Sequence, residues 1–343
     1  MRIICPLLLL TLLLLLGCPA REAAVHPAAT PYVLALPPGF PEPEIPADNQ
    51  LTAERVALGR KLFHAQALSR DSSLSCATCH VQARAFTDGR TISRGIEGRM
   101  GLRNTPTLVN LAYQPYFFAE GGSPTLELQS MGPIKTEHEM DLPIRLAVNR
   151  LAADTSYQWA ARRAYGRPFD AFVLTRALAA FQRTFLSGDS PYDRYVHQGQ
   201  AEALTPAQQR GMRLFFSDTT GCGQCHRGIN LTDYQFHNVG LYADDQPQDL
   251  GRYRVSADSS EIGAFKTPSL RNVALTAPYM HDGSLPDLPS VIEHFDRGGQ
   301  GHRLQPGVIR PLHLSARQKA DLLAFLEALT DTAYLRDPAY QSP

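Results

Sequence analysis

Several things are scarce in this sequence. Two of its six cysteines fall within the first eighteen residues, tryptophan occurs once, and Lys plus Arg (33) cancels Asp plus Glu (33). A balanced chain projects no long-range field toward a phosphate backbone or an anionic lipid surface, so nucleic acid is not an expected partner. Beyond the first residues there is no apolar run near the roughly 20 residues that cross a bilayer. Alternating strand patterns are also sparse, which points to a mainly α, loop-rich fold. What is present is length: 343 residues, 43% hydrophobic, with 26 prolines and 25 glycines. That suffices for two ordinary domains whose loops could wrap a cofactor.

Met1-Arg2 precedes an apolar stretch, Leu7 to Leu10 and Leu12 to Leu16, that stops at Gly17-Cys18. Residues 1–17 read as an export signal. Leu15-Leu16-Gly17-Cys18 resembles a lipobox, in which Cys18 would carry a lipid anchor in the periplasm. Ordinary cleavage nearby, releasing a soluble periplasmic protein, is the other reading. Residues 18–49, rich in Ala and Pro, are expected to be a tether.

The remaining cysteines form two identical frames, Cys76-Ala77-Thr78-Cys79-His80 and Cys222-Gly223-Gln224-Cys225-His226. In a CxxCH, two thiols can add to the vinyl groups of one haem while the adjacent histidine reaches the iron. Two structural disulfides, or one four-thiolate zinc site, would explain the cysteines but not a histidine after each pair. Two covalently bound haem c groups are therefore expected.

The surroundings look duplicated. Thr52 opens a helix that carries Gly59-Arg60-Lys61-Leu62-Phe63 into the first CxxCH. Thr205, with Pro206 at the first helical position and Gln208 completing a capping box, opens another that carries Gly211-Met212-Arg213-Leu214-Phe215 into the second. Thr105-Pro106-Thr107-Leu108-Val109-Asn110 parallels Thr267-Pro268-Ser269-Leu270-Arg271-Asn272, and Pro115-Tyr116 is matched to Pro278-Tyr279. A last helix is expected from Ser315 to Leu329, with a Ser315/Gln318 capping box. The fold implied is two cytochrome c-like haem domains related by internal duplication, placed at 50–200 and 201–343.

With these phrases, together with Arg103-Asn104 and Gly132-Pro133-Ile134, the stretch from Thr52 to Leu329 resembles the bacterial dihaem cytochrome c peroxidase and MauG family. The resemblance implies a peroxidatic haem in the first domain, with His80 as proximal ligand, and an electron-transfer haem in the second, with His226. It places the distal acid/base carboxylate on Glu139 and its companion amide on Gln129. Proton shuttling between the peroxide oxygens asks for such a pair. On its own, Glu139 reads equally as one solvated carboxylate among several. The resemblance also implies a calcium ion between the domains, on the side chain of Asn104 and the carbonyls of Thr276 and Pro278. Asn104 could instead be a turn residue beside Pro106.

Three positions depart from the family pattern. Ile96 stands where many members have a distal histidine, so the first haem is expected to be open to peroxide at rest. Ala119, beside Phe118, replaces the tryptophan between the haems, and Trp159 lies elsewhere. An ungapped match puts Phe295 at the second haem's distal position, leaving Met280, His281, His294 and His302 as candidate ligands, of which Met280 is the one chosen here. The leading expectation is an exported peroxidase that takes electrons for hydrogen peroxide from a small cytochrome c or cupredoxin. A MauG-like oxidase acting on a protein substrate and a pure electron carrier are the alternatives. Members of this kind are often dimers, so a homodimer is an expected partner state.

Overall fold

The computed structural model describes residues 30–246 and 249–343, so the export signal, Cys18 and most of the tether lie outside the described residues. Among the described residues the fold is helical, and the only strands are β1 (Phe236–His237) and β2 (Phe265–Lys266), paired antiparallel. The first half holds α1 (Ala53–Phe63), α2 (Cys76–Cys79), α3 (Leu126–Gln129), α4 (Met131–Lys135), α5 (Ile144–Ala152), α6 (Thr155–Tyr165) and α7 (Ala171–Gln182). The rest of the chain supplies α8 (Pro191–His197), α9 (Pro206–Phe215), α10 (Cys222–Cys225), α11 (Tyr253–Ser256), α12 (Leu288–Asp296) and α13 (Ala316–Glu327).

The helix starts follow from their caps. The Thr52 hydroxyl accepts the Arg55 N–H at 3.2 Å and starts α1. At α9 the Thr205 N–H donates to Gln208 Oε1 at 2.8 Å, and the Gln208 N–H returns to Thr205 Oγ1 at 3.3 Å. Ser315 and Gln318 close the same reciprocal pair at α13, at 2.9 and 3.3 Å. Each pair satisfies amides that the first helical turn would otherwise leave unpaired.

Two apolar cores form around two equivalent helix crossings. In the first, α1 lies on α7 with Leu62, Phe63, Phe181 and Phe185 almost fully buried; in the second, α9 lies on α13 with Phe215, Phe325 and Leu326. Both crossings are set by a glycine. A Cβ on Gly59 would overlap the Ala177 carbonyl oxygen, and a Cβ on Gly211 would overlap that of Asp321. Only glycine lets the helix backbones meet at this distance, which explains why each repeat phrase begins with one.

The duplication runs further than the sequence phrases. Asn110 and Asn272 both adopt left-handed backbone (φ 51° and 60°), and both are followed by a single 3-10 turn. Seven residues on, Phe117 bridges Ser123 and Tyr279 bridges Leu285. This register pairs Phe117 with Tyr279 and Pro115 with Ala277, one residue away from the Pro-Tyr match of the sequences. The shared dipeptide is a coincidence within a stretch whose spacing is the same in both halves from Asn110 to Phe117 and from Asn272 to Tyr279.

The halves are knotted together by polar contacts. The Asn110 amide donates to Asn230 Oδ1 at 2.7 Å and to the Ser187 carbonyl at 3.0 Å, while Asn272 donates to Ser187 Oγ at 3.0 Å and accepts the Asp331 N–H at 2.8 Å. After α13 the chain crosses back, so that Tyr334 and Tyr340 pack in the first core. Arg60 donates to the Gln341 and Pro338 carbonyls at 2.6 and 2.9 Å, His64 Nε2 to that of Tyr340 at 3.1 Å, and Gln82 to those of Tyr334 and Asp337 at 3.0 and 2.9 Å. The tail thus roofs the end of α1 and the turn after the first CxxCH.

Candidate functional site

Each CxxC forms one helical turn, α2 or α10, with its histidine as the C-terminal cap. The turn brings both cysteines to one side and aims the histidine across them. His80 Nδ1–H donates to the Phe86 carbonyl at 2.8 Å, and His226 Nδ1–H to the Leu231 carbonyl at 2.9 Å. Phe86 and Leu231 present those carbonyls from positive-φ backbone (61° and 51°). Anchoring Nδ1 fixes the tautomer and leaves Nε2 as the lone-pair donor, the arrangement an axial iron ligand requires. Burial holds both imidazoles below the usual histidine pKa, so they stay neutral and able to ligate. All four cysteines are free thiols in the structure. The residues present therefore fit two covalently attached haem groups. Cys225 also lies in a cluster with Asp233 and His237 that has metal-ligand spacing, but haem attachment would use its sulfur.

Glu139 sits in the turn after α4. Its backbone carbonyl accepts the Ile96 N–H at 2.8 Å, which ties it directly to the loop where a distal histidine is absent. A Cβ on Gly95 would overlap the His138 carbonyl oxygen and crowd that of Glu139, so these two segments meet at the closest distance a backbone allows. An ionic lattice clamps the same loop: Arg99 meets Glu97 at 2.6 Å and Asp141 at 2.9 Å, and Arg70 meets the same two acids at 3.1 and 2.9 Å. Each partly exposed pair is worth little alone, but together they join both sides of the loop. Burial and then Cys79 push the Cys76 thiol up to about 12, with the Glu139 charge a smaller contributor, and Glu139 also acts on Cys79. The Glu139 charge is thus felt at the first pair of cysteines. Surrounding protein atoms that partly desolvate the carboxyl raise the pKa of Glu139, against a smaller opposing effect of His138, although the residue stays open to solvent. Gln129, half-buried at the end of α3, is joined to Glu139 through α4.

Asn104 is brought against the 276–283 segment. Its N–H donates to the His281 carbonyl at 2.8 Å, and its side-chain NH2 donates to the carbonyls of Arg90 and Thr91 at 2.7 and 3.3 Å. Its side-chain oxygen has no hydrogen bond among the described residues. Thr276 and Pro278 lie on the facing segment.

The candidate distal ligands of the second site separate by their partners. His294 Nε2–H donates to the Val239 carbonyl at 3.0 Å. His302 is engaged at both ring nitrogens, with Asn238 and the Leu304 N–H at Nδ1 and Asp244 at Nε2. The ring of His281 stacks on Phe265 at 3.9 Å. Met280 has left-handed backbone (φ 73°) and occupies the position of Phe118 (φ 65°) in the repeat. Phe295 lies half-buried on α12 and has no atom that can ligate.

Ala119 lies on the seam between the halves, where its carbonyl accepts the Lys266 N–H at 2.8 Å. Trp159 is 62% exposed on α6 under the Arg163 guanidinium, away from that seam. The seam holds groups that sequence reasoning did not single out. Lys266 Nζ donates to Gln114 Oε1 at 2.8 Å and to the Tyr116 carbonyl at 2.6 Å, and burial lowers its pKa to about 8. Arg103 joins Asp249 at 2.7 Å and also meets Glu120. Arg103 stands in a phrase of the family resemblance, but its partners are too distant in sequence for spacing to find.

Comparison with known proteins agrees with this geometry. Residues 53–202 match the family described as di-haem cytochrome c peroxidase. The chain is 39% identical to the methylamine utilization protein MauG of Methylorubrum extorquens, covering 91% of this chain and 89% of that protein. It is 35% identical to the cytochrome-c peroxidase IdrP1 of a Pseudomonas species, covering 91% and 88%. Among solved structures, a MauG-like protein associated with microbial copper homeostasis aligns with a TM-score of 0.86 at 37% identity, over 91% of this chain and 99% of that one. Peroxidases and MauG proteins thus stand at similar distances, and the chain belongs to the di-haem cytochrome c peroxidase and MauG family of oxidoreductases.

Proposed function

We propose that the protein reduces hydrogen peroxide to water in the periplasm, with electrons from a small cytochrome c or cupredoxin. The observation that carries this reading is Glu139, joined through its backbone carbonyl to the Ile96 N–H and close enough for its charge to act on the thiols of Cys76 and Cys79. Haem, which Cys76, Cys79 and His80 would hold, would supply the redox chemistry at the first site. The chain supplies the proton traffic. Glu139 as carboxylate takes a proton from the inner peroxide oxygen and returns it to the outer one, which then leaves as water. Gln129 orients the peroxide through its amide. Ile96 offers no atom that could ligate iron, so the chain would supply no ligand to the first haem from this position.

In this reading residues 50–200 form the peroxidatic half and 201–343 the electron-entry half, with His80 and His226 as proximal ligands. Met280 is the distal ligand we favour at the second site, because its sulfur, unlike the rings of His281, His294 and His302, is engaged by no hydrogen bond or ring stack among the described residues. Asn104 Oδ1 and the Thr276 and Pro278 carbonyls would hold one calcium ion, a hard cation suited to neutral oxygen donors. Cys18 would carry a lipid if the lipobox is used. Steady-state peroxide consumption with a reduced cytochrome c tests the activity; absence of turnover in protein carrying both haems refutes it.

A second reading is a MauG-like oxidase that modifies a protein residue. Ile96 favours it, while Ala119 weakens it by removing the aromatic relay between the halves. A modified partner trapped after peroxide addition would select it.

A further inference from the structure

The duplication supplies an internal control for one surface. The equivalent glycine crossings pair Phe63 with Phe215, and therefore His64 with Phe216. In the first half this corner is covered: His64 is capped by the Tyr340 carbonyl at 3.1 Å, and Gln82 holds the returning tail over the turn beyond the first CxxCH. In the second half no described segment covers it. Phe216 is 42% exposed, and its ring lies against the CxxC turn, since a Cβ on Gly223 would stand 2.9 Å from Phe216 Cδ1. Arg213 lies three residues before Phe216 on the same helical face, and Arg227 follows His226 directly. Arg310 reaches the Asp218 carbonyl at 3.4 Å, and the neighbouring Val308 packs over Gly221. All three arginines are exposed, and none forms an ion pair among the described residues. Asp218, whose carbonyl Arg310 reaches, is an exposed acid beside them.

An exposed aromatic against the CxxC turn, with exposed guanidinium groups on its own helix and on the segments that flank the turn, has the character of an interface centre with a steering rim. We propose that Phe216, Arg213, Arg227 and Arg310 form the docking surface for a small acidic redox protein that delivers electrons to the second haem site. The proposal rests on the reading of that site as the point of electron entry. Each encounter passes one electron from the reduced donor metal, which is oxidised by one unit, and two encounters match the two electrons and two protons that convert one hydrogen peroxide to two waters. The charge choice follows from the rim, and the covered counterpart shows that this corner of the fold accepts a capping segment.

The test uses the full holo-protein and two zinc-substituted, redox-silent cupredoxins, one acidic and one basic, titrated by NMR at low ionic strength. The acidic probe should bind, and its Kd should rise at least tenfold in the Arg213→Glu/Arg310→Glu variant and severalfold in Phe216→Ala, with haem content unchanged. Added salt should weaken wild-type binding. Equal affinities across the three proteins, or tighter binding of the basic probe, overturn the proposal. A dimer in sedimentation that Phe216→Ala dissolves also overturns it, because a second copy would then own the surface. Peroxide turnover with a small-molecule reductant keeps the two readings apart. Turnover without acidic-probe binding sinks the docking surface alone, whereas binding without turnover sinks the peroxidase and leaves the surface standing.

Discussion

Replacing Glu139 by glutamine should remove proton shuttling while leaving the pocket intact. The side chain keeps its size, and the contact that positions residue 139 is made by its backbone carbonyl to the Ile96 N–H at 2.8 Å, which the substitution does not touch. The Arg70, Glu97, Arg99 and Asp141 lattice that holds the loop is likewise preserved. General acid–base catalysis by one positioned group is worth roughly 10²- to 10⁴-fold, or about 3 to 5 kcal/mol of barrier. The second-order rate with peroxide, followed by stopped-flow absorbance, should fall within that range. The pH profile gives a second readout. Partial desolvation raises the Glu139 pKa even though the residue is exposed, so the reactive carboxylate is lost as pH falls through a value above that of an ordinary glutamate. Wild type should show an acid limb displaced upward from the usual carboxylate range, and Glu139→Gln should lack it. A variant within threefold of wild type, or one retaining the same limb, would refute the assignment.

Other outcomes follow from the packing. Gly211→Ala places a methyl on the Asp321 carbonyl oxygen, and such overpacking costs about 1–3 kcal/mol or more, measurable as a lowered denaturant midpoint. Arg271→Met strands Asp193, with which Arg271 pairs at 2.8 and 2.9 Å while both side chains are almost fully buried, so a loss of about 3–5 kcal/mol is expected in the same unfolding assay. Ile96→His puts an imidazole in the loop that binds the Glu139 carbonyl; EPR of the oxidised variant should show high-spin signal replaced by low-spin, with slower peroxide binding.

The parts of this architecture written in short stretches of sequence were the readable ones. Thr205 with Gln208, Ser315 with Gln318, and the two CxxCH frames each span a few residues, and local geometry alone makes them work. Gly59 and Gly211 were visible as repeated letters, but their reason, a carbonyl across a helix crossing, lies more than a hundred residues away. The carbonyls that orient His80 and His226 could not be read, because any residue offers a carbonyl and only the positive φ of Phe86 and Leu231 turns it inward. The repeat register slipped by one residue where Pro-Tyr recurs by chance, and backbone bridges at Phe117 and Tyr279 correct it. The tail that covers His64 and leaves Phe216 bare is a tertiary event with no local signature.

Optical and EPR spectroscopy of the oxidised holo-protein, before and after peroxide, tests the central claim most directly. Two haems should be present, with a high-spin component from the open site beside Ile96 and Glu139 that disappears when peroxide is added. A fully low-spin resting spectrum that peroxide leaves unchanged would contradict the account.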